Sequence, residues 1–410
     1  MCRDFYAISY YGEQYKLGYI NMDFLDCETV DRYIGEEKDR FWRAVHIIAA
    51  EVPYSTYYKK YIGINEKTLR RGGALFRVKL EETEKTHAGF SCDIYSQDGL
   101  VSRQSRIKII DAERCSVEEG NRIINDLNNK FDISEVPEYD GSEGVVASHI
   151  KGKLAGESSN KRFLFTTYKV GQGLATSIQV ENEIPFMYFD YGTDKDPSKV
   201  PRGLTLKVDI KETVIFISHV DEDHWCGCRI NPQALLCTWV IPDQRGSAIY
   251  QKTISTIKSR GEIIFRHTTD IDLGSIYIGH SASTIRPSRV PKNVHQDGLA
   301  MYVNARAYDD SANLIEYKIT VSGDQDYDYQ DATKYGNSDA LVACHHGGEY
   351  CWSSKYARIY PRDNSSIVIY SYGLNNKYGH PNKTNAYYRW GWKIRHDTAF
   401  IGSYVKSIYF

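Results

Sequence analysis

From Phe163 to the C-terminus the chain repeats one pattern: a short apolar run, then a polar loop. The runs are Val214–Ser218, Trp239–Ile241, Ile263–Phe265, Leu299–Val303, Ile319–Ser322, Leu341–Ala343 and Ile367–Tyr370. Runs this short, rich in β-branched residues and separated in part by helical spacers, predict buried strands of a layered α/β domain. The first part of the chain reads differently. Phe41, Trp42, Val45, Ile47 and Ile48 among charges predict an amphipathic helix within Asp31–Glu51. Ser116 with Glu119 forms a capping-box pattern that opens a helix with Ile123, Ile124 and Leu127 on one face. Gly73–Leu80 and Arg106–Ile110 have strand character.

Glu138–Gly144 and Lys151–Arg162 are rich in Gly, Ser and charge, the chemistry of linkers. The expected organisation is an α+β domain over 1–150, a linker over 151–162 and an α/β domain over 163–410. A length of 410 residues fits two cores better than one.

Composition changes this picture little. The formal net charge is −2, so no global field favours nucleic acid or membrane, and any such contact must come from a local patch. No apolar run approaches the roughly twenty residues needed to cross a bilayer. The N-terminus lacks a basic start followed by an apolar stretch, which reads as no signal peptide and a cytoplasmic protein. Nine scattered cysteines read as reduced thiols, and Cys226 with Cys228 reads as structural rather than zinc-binding. The 33 tyrosines favour a β-rich protein with contact surface. Lys59, Lys60, Lys67, Arg70 and Arg71 form a basic cluster that reads as a solvated face.

The strongest chemical signal is Ser218–Trp225, which follows a strand and offers His219, Asp221, Glu222, Asp223 and His224. Positions 219, 221 and 223 point one way in an extended segment, and a tight turn carries His224 to a second centre. So many donors suit two neighbouring cations better than one. Three further strand ends deliver similar groups: Ser322-Gly323-Asp324, Cys344-His345-His346-Gly347, and Tyr378-Gly379-His380-Pro381. Each alone reads as a turn. Four in one domain can converge, because strands of a sheet release their loops at a shared edge.

With these motifs the region from about Phe163 resembles the metallo-β-lactamase superfamily, and within it the hydrolase domain of ComEC-type DNA-uptake proteins and their free-standing bacterial relatives. Val170-Gly171-Gln172-Gly173, Phe189–Thr193 and His219–His224 match its opening turn, its Asp-x-Gly element and its metal motif. Two departures stand out: Leu174-Ala175 replaces the usual Gly-Asp-Ala continuation, and His295 stands near a segment that usually carries Asn and Ser. The resemblance implies a four-layered αββα sandwich and a two-metal site. In that site His219, Asp221 and one of His345 and His346 hold one ion; Asp223, His224 and His380 hold the other; and Asp324 bridges. Asp190 would orient a ligand histidine, and His346 or His380 would serve substrate or proton transfer. Zinc is the first expectation, with manganese its competitor for a carboxylate-rich set.

Such a site would activate a shared water near neutral pH, and the implied activity is that of a phosphodiesterase or nuclease acting on nucleic acid or nucleotides. Lys377, Lys383 and Arg389 are the expected phosphate contacts. The stretch Tyr387–His396 interleaves aromatics with Arg389, Lys393 and Arg395, which suits either base stacking or a closing strand packed inward. Two other classes stay open: the same site acting on another ester, thioester or lactam, and a non-catalytic metal-binding scaffold. The N-terminal domain would select substrate or bind a protein partner, and free-standing relatives suggest a setting in bacterial defence.

Overall fold

The computed structural model describes residues 2–9, 19–53, 75–83, 90–95, 101–139, 145–155, 162–260, 264–267, 270–279, 298–308, 314–330, 336–348, 358–400 and 405–409. They divide into two compact units, 1–135 with 245–261, and 136–244 with 262–410.

The first unit is built on a closed barrel. Its strands run Cys2–Ser9, Tyr19–Asp26, Ile47–Pro53, Phe90–Tyr95, Val101–Arg114 and Phe76–Thr83, the last pairing back with the first. Phe5, Phe24, Val52, Phe76, Val78, Leu80 and Ile107 fill the interior, so the barrel is packed rather than hollow. Ser116 caps the helix Val117–Phe131 by accepting from the Glu119 N–H at 3.2 Å, and Ile123 and Leu127 are buried. The helix expected within Asp31–Glu51 is a correction. The chain instead forms Cys27–Tyr33 and Lys38–Ala44, then turns into a strand at Ile47, because Ile47 and Ile48 pair across to Leu25 and Phe24. β-branched residues with a partner strand take the ladder over a third helical turn.

The helix Ala248–Ser259 also belongs to this unit, although its sequence lies between two strands of the other. Lys252 explains the attachment. Its buried ammonium donates to the backbone carbonyls of Trp42, Arg43 and Val45 at 3.0, 3.0 and 2.8 Å, satisfying the C-terminal end of Lys38–Ala44. The basic cluster at 59–71 and residues 73–74 lie outside the described residues.

The second unit is the expected α/β sandwich. One sheet has eight strands, in the order Val405–Tyr409, Phe163–Tyr168, Ala175–Val180, Met187–Tyr191, Val214–Phe216, Thr238–Pro242, Ile264–His267 and Glu138–Tyr139. The other has seven: Ile271–Asp272, Ile276–Gly279, Ala300–Tyr308, Leu314–Val321, Ala340–Val342, Ile367–Tyr370 and Ile394–Asp397. Alternation along each strand divides their faces. Met301, Val303, Ala340, Val342 and Ile369 enter the core shared with Phe165, Phe189, Val214, Phe216 and Val240 of the first sheet. Tyr302, Leu341, Val368 and Tyr370 face outward and are covered by Tyr387 and Trp390 of the helix Thr384–Arg389 and its end. On the far side, the short turns Cys226–Arg229 and Pro232–Leu236 lie on the first sheet through Gly227 beside Tyr191 and Ala234 beneath Trp239. Each fully buried Ile, Val or Phe of this core contributes roughly 1.5–3 kcal/mol.

The domain boundary also differs from expectation. Glu138–Tyr139 pairs with Arg266–His267, and Val145–Ala155 is a helix that seats Val146, Ala147 and Ile150 in the sandwich core. The apolar side of that helix overrides the linker-like composition around it. Residues 140–144 and 156–161 lie outside the described residues.

Candidate metal centre

In the first sheet Met187–Tyr191, Val214–Phe216 and Thr238–Pro242 run parallel, as do Leu314–Val321, Ala340–Val342 and Ile367–Tyr370 in the second. Parallel strands deliver all their C-terminal loops to one edge. Asp190 and His219–His224 come from the first sheet, Asp324, His345, His346 and Ser371 from the second, and they meet there. The imidazoles of His219 and His224 are 4.1 Å apart, His224 and His346 5.4 Å, and His346 and His380 5.9 Å.

The loops are knitted by backbone contacts. Leu174 donates its N–H to the Asp223 carbonyl at 3.1 Å, and Gly192 to that of Leu174 at 2.7 Å. Gly192 is required: a Cβ there would lie 1.7 Å from the Asp223 carbonyl oxygen. Gly323, at φ +53°, lets the second sheet's loop close on Ser218, whose hydroxyl would be 2.6 Å from an added Cβ. The Glu222–His224 segment is a tight helical turn, not a continued strand. Asp223 therefore reaches the centre through that turn, correcting the expected alternation of 219, 221 and 223. His345 and His346 both have left-handed backbones, at φ 48° and 55°, a conformation costly for non-glycine residues.

Two groups of side chains bring their donor atoms close enough to share an ion: His219, His224 and Asp324, and Asp223, His224 and His346. His224 belongs to both. Its Nε2 lies 3.2 Å from Asp324 Oδ1, and His346 Nε2 lies 3.5 Å from Asp223 Oδ2. His219 Nε2 is 3.8 Å from Asp324 Oδ2. Asp221 sits at the rim, with its Oδ2 3.7 Å from His219 Nε2, and His345 Nδ1 is 3.4 Å from Asp324 Oδ2. His380 lies outside both groups, its ring 4.9 Å from that of His345.

The opposite edge of each ring shows what the site is built to hold. His224 Nδ1 is 2.8 Å from Asp190 Oδ2. His346 Nδ1 is 2.6 Å from the Ser371 carbonyl oxygen. The Ser218 hydroxyl donates to Asp190 at 2.8 Å, so it can only accept from His219 Nδ1, 3.0 Å away. All three imidazoles thus spend the Nδ1–H on an outer acceptor and turn Nε2 inward, the arrangement of metal-ligating histidines. The residues fit a divalent cation.

Charge supports the same fit. Burial opposes ionisation of Asp324, yet His224, His345 and His346 hold its carboxyl well below the usual range. Burial opposes charge on His224 too, and Asp324 and Asp190 overcome it. Burial is likewise outweighed at Asp223, first by Lys195 and then by His346 and His224. A carboxylate set this deeply buried calls for positive charge. His380 is different: burial, then His345 and His346, lowers its pKa to about 3, so it stays neutral.

Several participants act in ways the sequence does not reveal. Gln172 accepts from the Gly373 N–H at 3.4 Å through Oε1, which leaves its amide to donate to His380 Nδ1 at 3.3 Å. Ser371 acts through a carbonyl that any residue would supply. Lys195, in an Asp-Lys-Asp triplet that reads as a solvated turn, places Nζ 3.5 Å from Asp223 Oδ1. Of the expected phosphate contacts, Lys377 is exposed over the Tyr378 ring at 5.2 Å, Lys383 donates its backbone N–H to Gly347, and Arg389 is exposed at a helix end. The aromatic stretch divides: Tyr387, Trp390 and Trp392 are buried, while Tyr388 and Lys393 face outward as a cation–π pair at 4.0 Å. Arg395 lies over the Tyr370 ring at 5.0 Å. His295 lies outside the described residues. Cys226 and Cys228 are buried free thiols, and Cys226 contacts Thr193.

No family model matches the chain, and a search of curated proteins returns no match. Among solved structures the chain is similar to Zn2+-bound PqqB from Methylobacterium extorquens, with 8% identity and a TM-score of 0.29 over 67% of this chain and 97% of that one. It is similar to a long-form RNase Z from yeast, with 12% identity and a TM-score of 0.29 over 73% of this chain and 47% of that one. A protein of unknown function from Enterococcus faecalis V583 gives 14% identity and a TM-score of 0.23 over 45% of this chain and 50% of that one. At these scores the likeness supports no statement about activity, metal or substrate. Among the described residues, no helix is long and apolar enough to cross a membrane.

Proposed function

We propose that this chain is a metal-dependent hydrolase of metallo-β-lactamase type, related to the ComEC-like subgroup and acting as a phosphodiesterase or nuclease. The carrying observation is the set of three imidazoles that turn Nε2 toward the buried carboxylates of Asp223 and Asp324. The donors for the ions would come from His219 with Asp324 on one side and Asp223 with His346 on the other, and the single inward Nε2 of His224 would serve one ion or the other, with zinc ahead of manganese. Bound divalent cations would supply an acidified water and neutralise charge on attacked and leaving oxygens.

The chain's own residues supply the rest. Asp190, Ser218 and the Ser371 carbonyl fix the ring orientations, so the donor atoms are set before substrate arrives. His380 accepts from Gln172 at Nδ1 and is neutral, so its proton sits on Nε2. In this reading His380 is a hydrogen-bond donor to substrate or leaving group. Tyr378, stacked on it at 5.6 Å, keeps its ring in place. Asp221 and His345 complete the rim of the centre.

Metal-loaded protein should cleave bis(p-nitrophenyl) phosphate and at least one of single-stranded DNA, duplex DNA and RNA. Asp223→Ala and His346→Ala should abolish cleavage of whichever is taken. Cleavage that survives both substitutions, or that persists after metal removal, contradicts the proposal.

A further inference from the structure

Among the described residues, Lys195 is a cation beside this centre with no part in holding the ions or orienting their ligands. Its ammonium faces Oδ1 of Asp223, while the other oxygen of that carboxylate faces His346. Its side chain is 26% exposed, and its ammonium faces Asp223. Arg229, the other cation near the motif, is committed to Glu222 and lies over the Trp225 ring at 5.3 Å. Lys195 has three donors, and one carboxylate oxygen at 3.5 Å does not occupy them all.

We infer that Lys195 receives a negatively charged oxygen of the substrate on the Asp223 side of the centre, which restricts the site to anionic substrates such as phosphodiesters. This rests on the hydrolase reading of the same centre. Lys195 reaches the site from the loop after Asp190, so the segment that orients His224 also supplies the substrate contact. Its own role is recognition of substrate charge, distinct from the metal-holding role of Asp223.

The test uses the full metal-loaded chain with Lys195→Gln and Lys195→Arg. Metal content is measured first, then binding of inorganic phosphate by calorimetry. Lys195→Gln should retain the wild-type metal content and weaken phosphate binding by at least about tenfold, with Lys195→Arg restoring much of it. In turnover, Lys195→Gln should raise KM for bis(p-nitrophenyl) phosphate more than it lowers kcat, and Lys195→Arg should restore much of that KM. Unchanged phosphate affinity, absence of phosphate binding in the wild type, or loss of metal from Lys195→Gln overturns the inference, the last showing that the lysine serves only to set Asp223. If the wild type binds phosphate but hydrolyses nothing, the hydrolase reading fails while the calorimetry still decides Lys195.

Discussion

Asp190 holds His224 by its Nδ1 at 2.8 Å, and the same carboxylate accepts the Ser218 N–H at 2.7 Å and hydroxyl at 2.8 Å. Through Ser218 it also sets His219. One buried carboxylate thus orients two of the three imidazoles of the centre without entering it. Asp190→Asn keeps the shape but weakens both contacts, and metal affinity should fall by about 10–100-fold. Competition against a chelating indicator measures this; unchanged affinity would show that the rings are held by packing alone.

Gly192 makes a second, steric prediction. A methyl at this position collides with the Asp223 carbonyl, which has no flexible end to move. Gly192→Ala should shift the turn that carries Asp223 and reduce metal content, whereas Gly274→Ala, with open space around it, should not change metal content. Equal metal in both variants counts against the tight docking of these loops.

Lys252 predicts where the first unit is vulnerable. Lys252→Met keeps much of the apolar stem but strands three carbonyls, two of them in buried contacts, at the end of Lys38–Ala44. Losing these charge-assisted bonds should cost about 2–4 kcal/mol in urea unfolding followed by Trp42 fluorescence. An unchanged midpoint would place the attachment of Ala248–Ser259 elsewhere.

The Cys27 thiol is pushed up to about 12, chiefly by burial, against an ordinary value of 9.0. Above pH 9 the unfolded chain loses this proton and the folded chain keeps it. This group's contribution to stability is therefore complete below about pH 9 and declines as pH rises toward 12. Peptide mapping after brief alkylation of native protein at pH 8 should find Cys27 unmodified and labelled only after denaturation; rapid native labelling would contradict the burial.

Much of the second unit was legible because short apolar runs and the strand-end motifs share one physical cause: a parallel sheet buries its strands and exposes its C-terminal loops. His219, Asp223, His224, Asp324 and His346 announced themselves by chemistry and position. What escaped notice was tertiary. The roles of Ser371 and Gln172 depend on which atom faces which ring, and the place of Lys195 beside Asp223 is set by the fold. The inserted helix at 248–259 could not be assigned to the first unit, because Lys252 resembles any helical lysine until its carbonyl partners are seen. Ile47 and Ile48 fit a helical pattern until a partner strand claimed them.

His224 offers the most direct test, since it stands in both ligand groups. Elemental analysis of purified wild-type protein should give two transition-metal ions per chain, and His224→Ala should give no more than one while circular dichroism remains that of the folded protein. A wild type that binds no metal, or a folded His224→Ala that keeps both ions, would contradict the account.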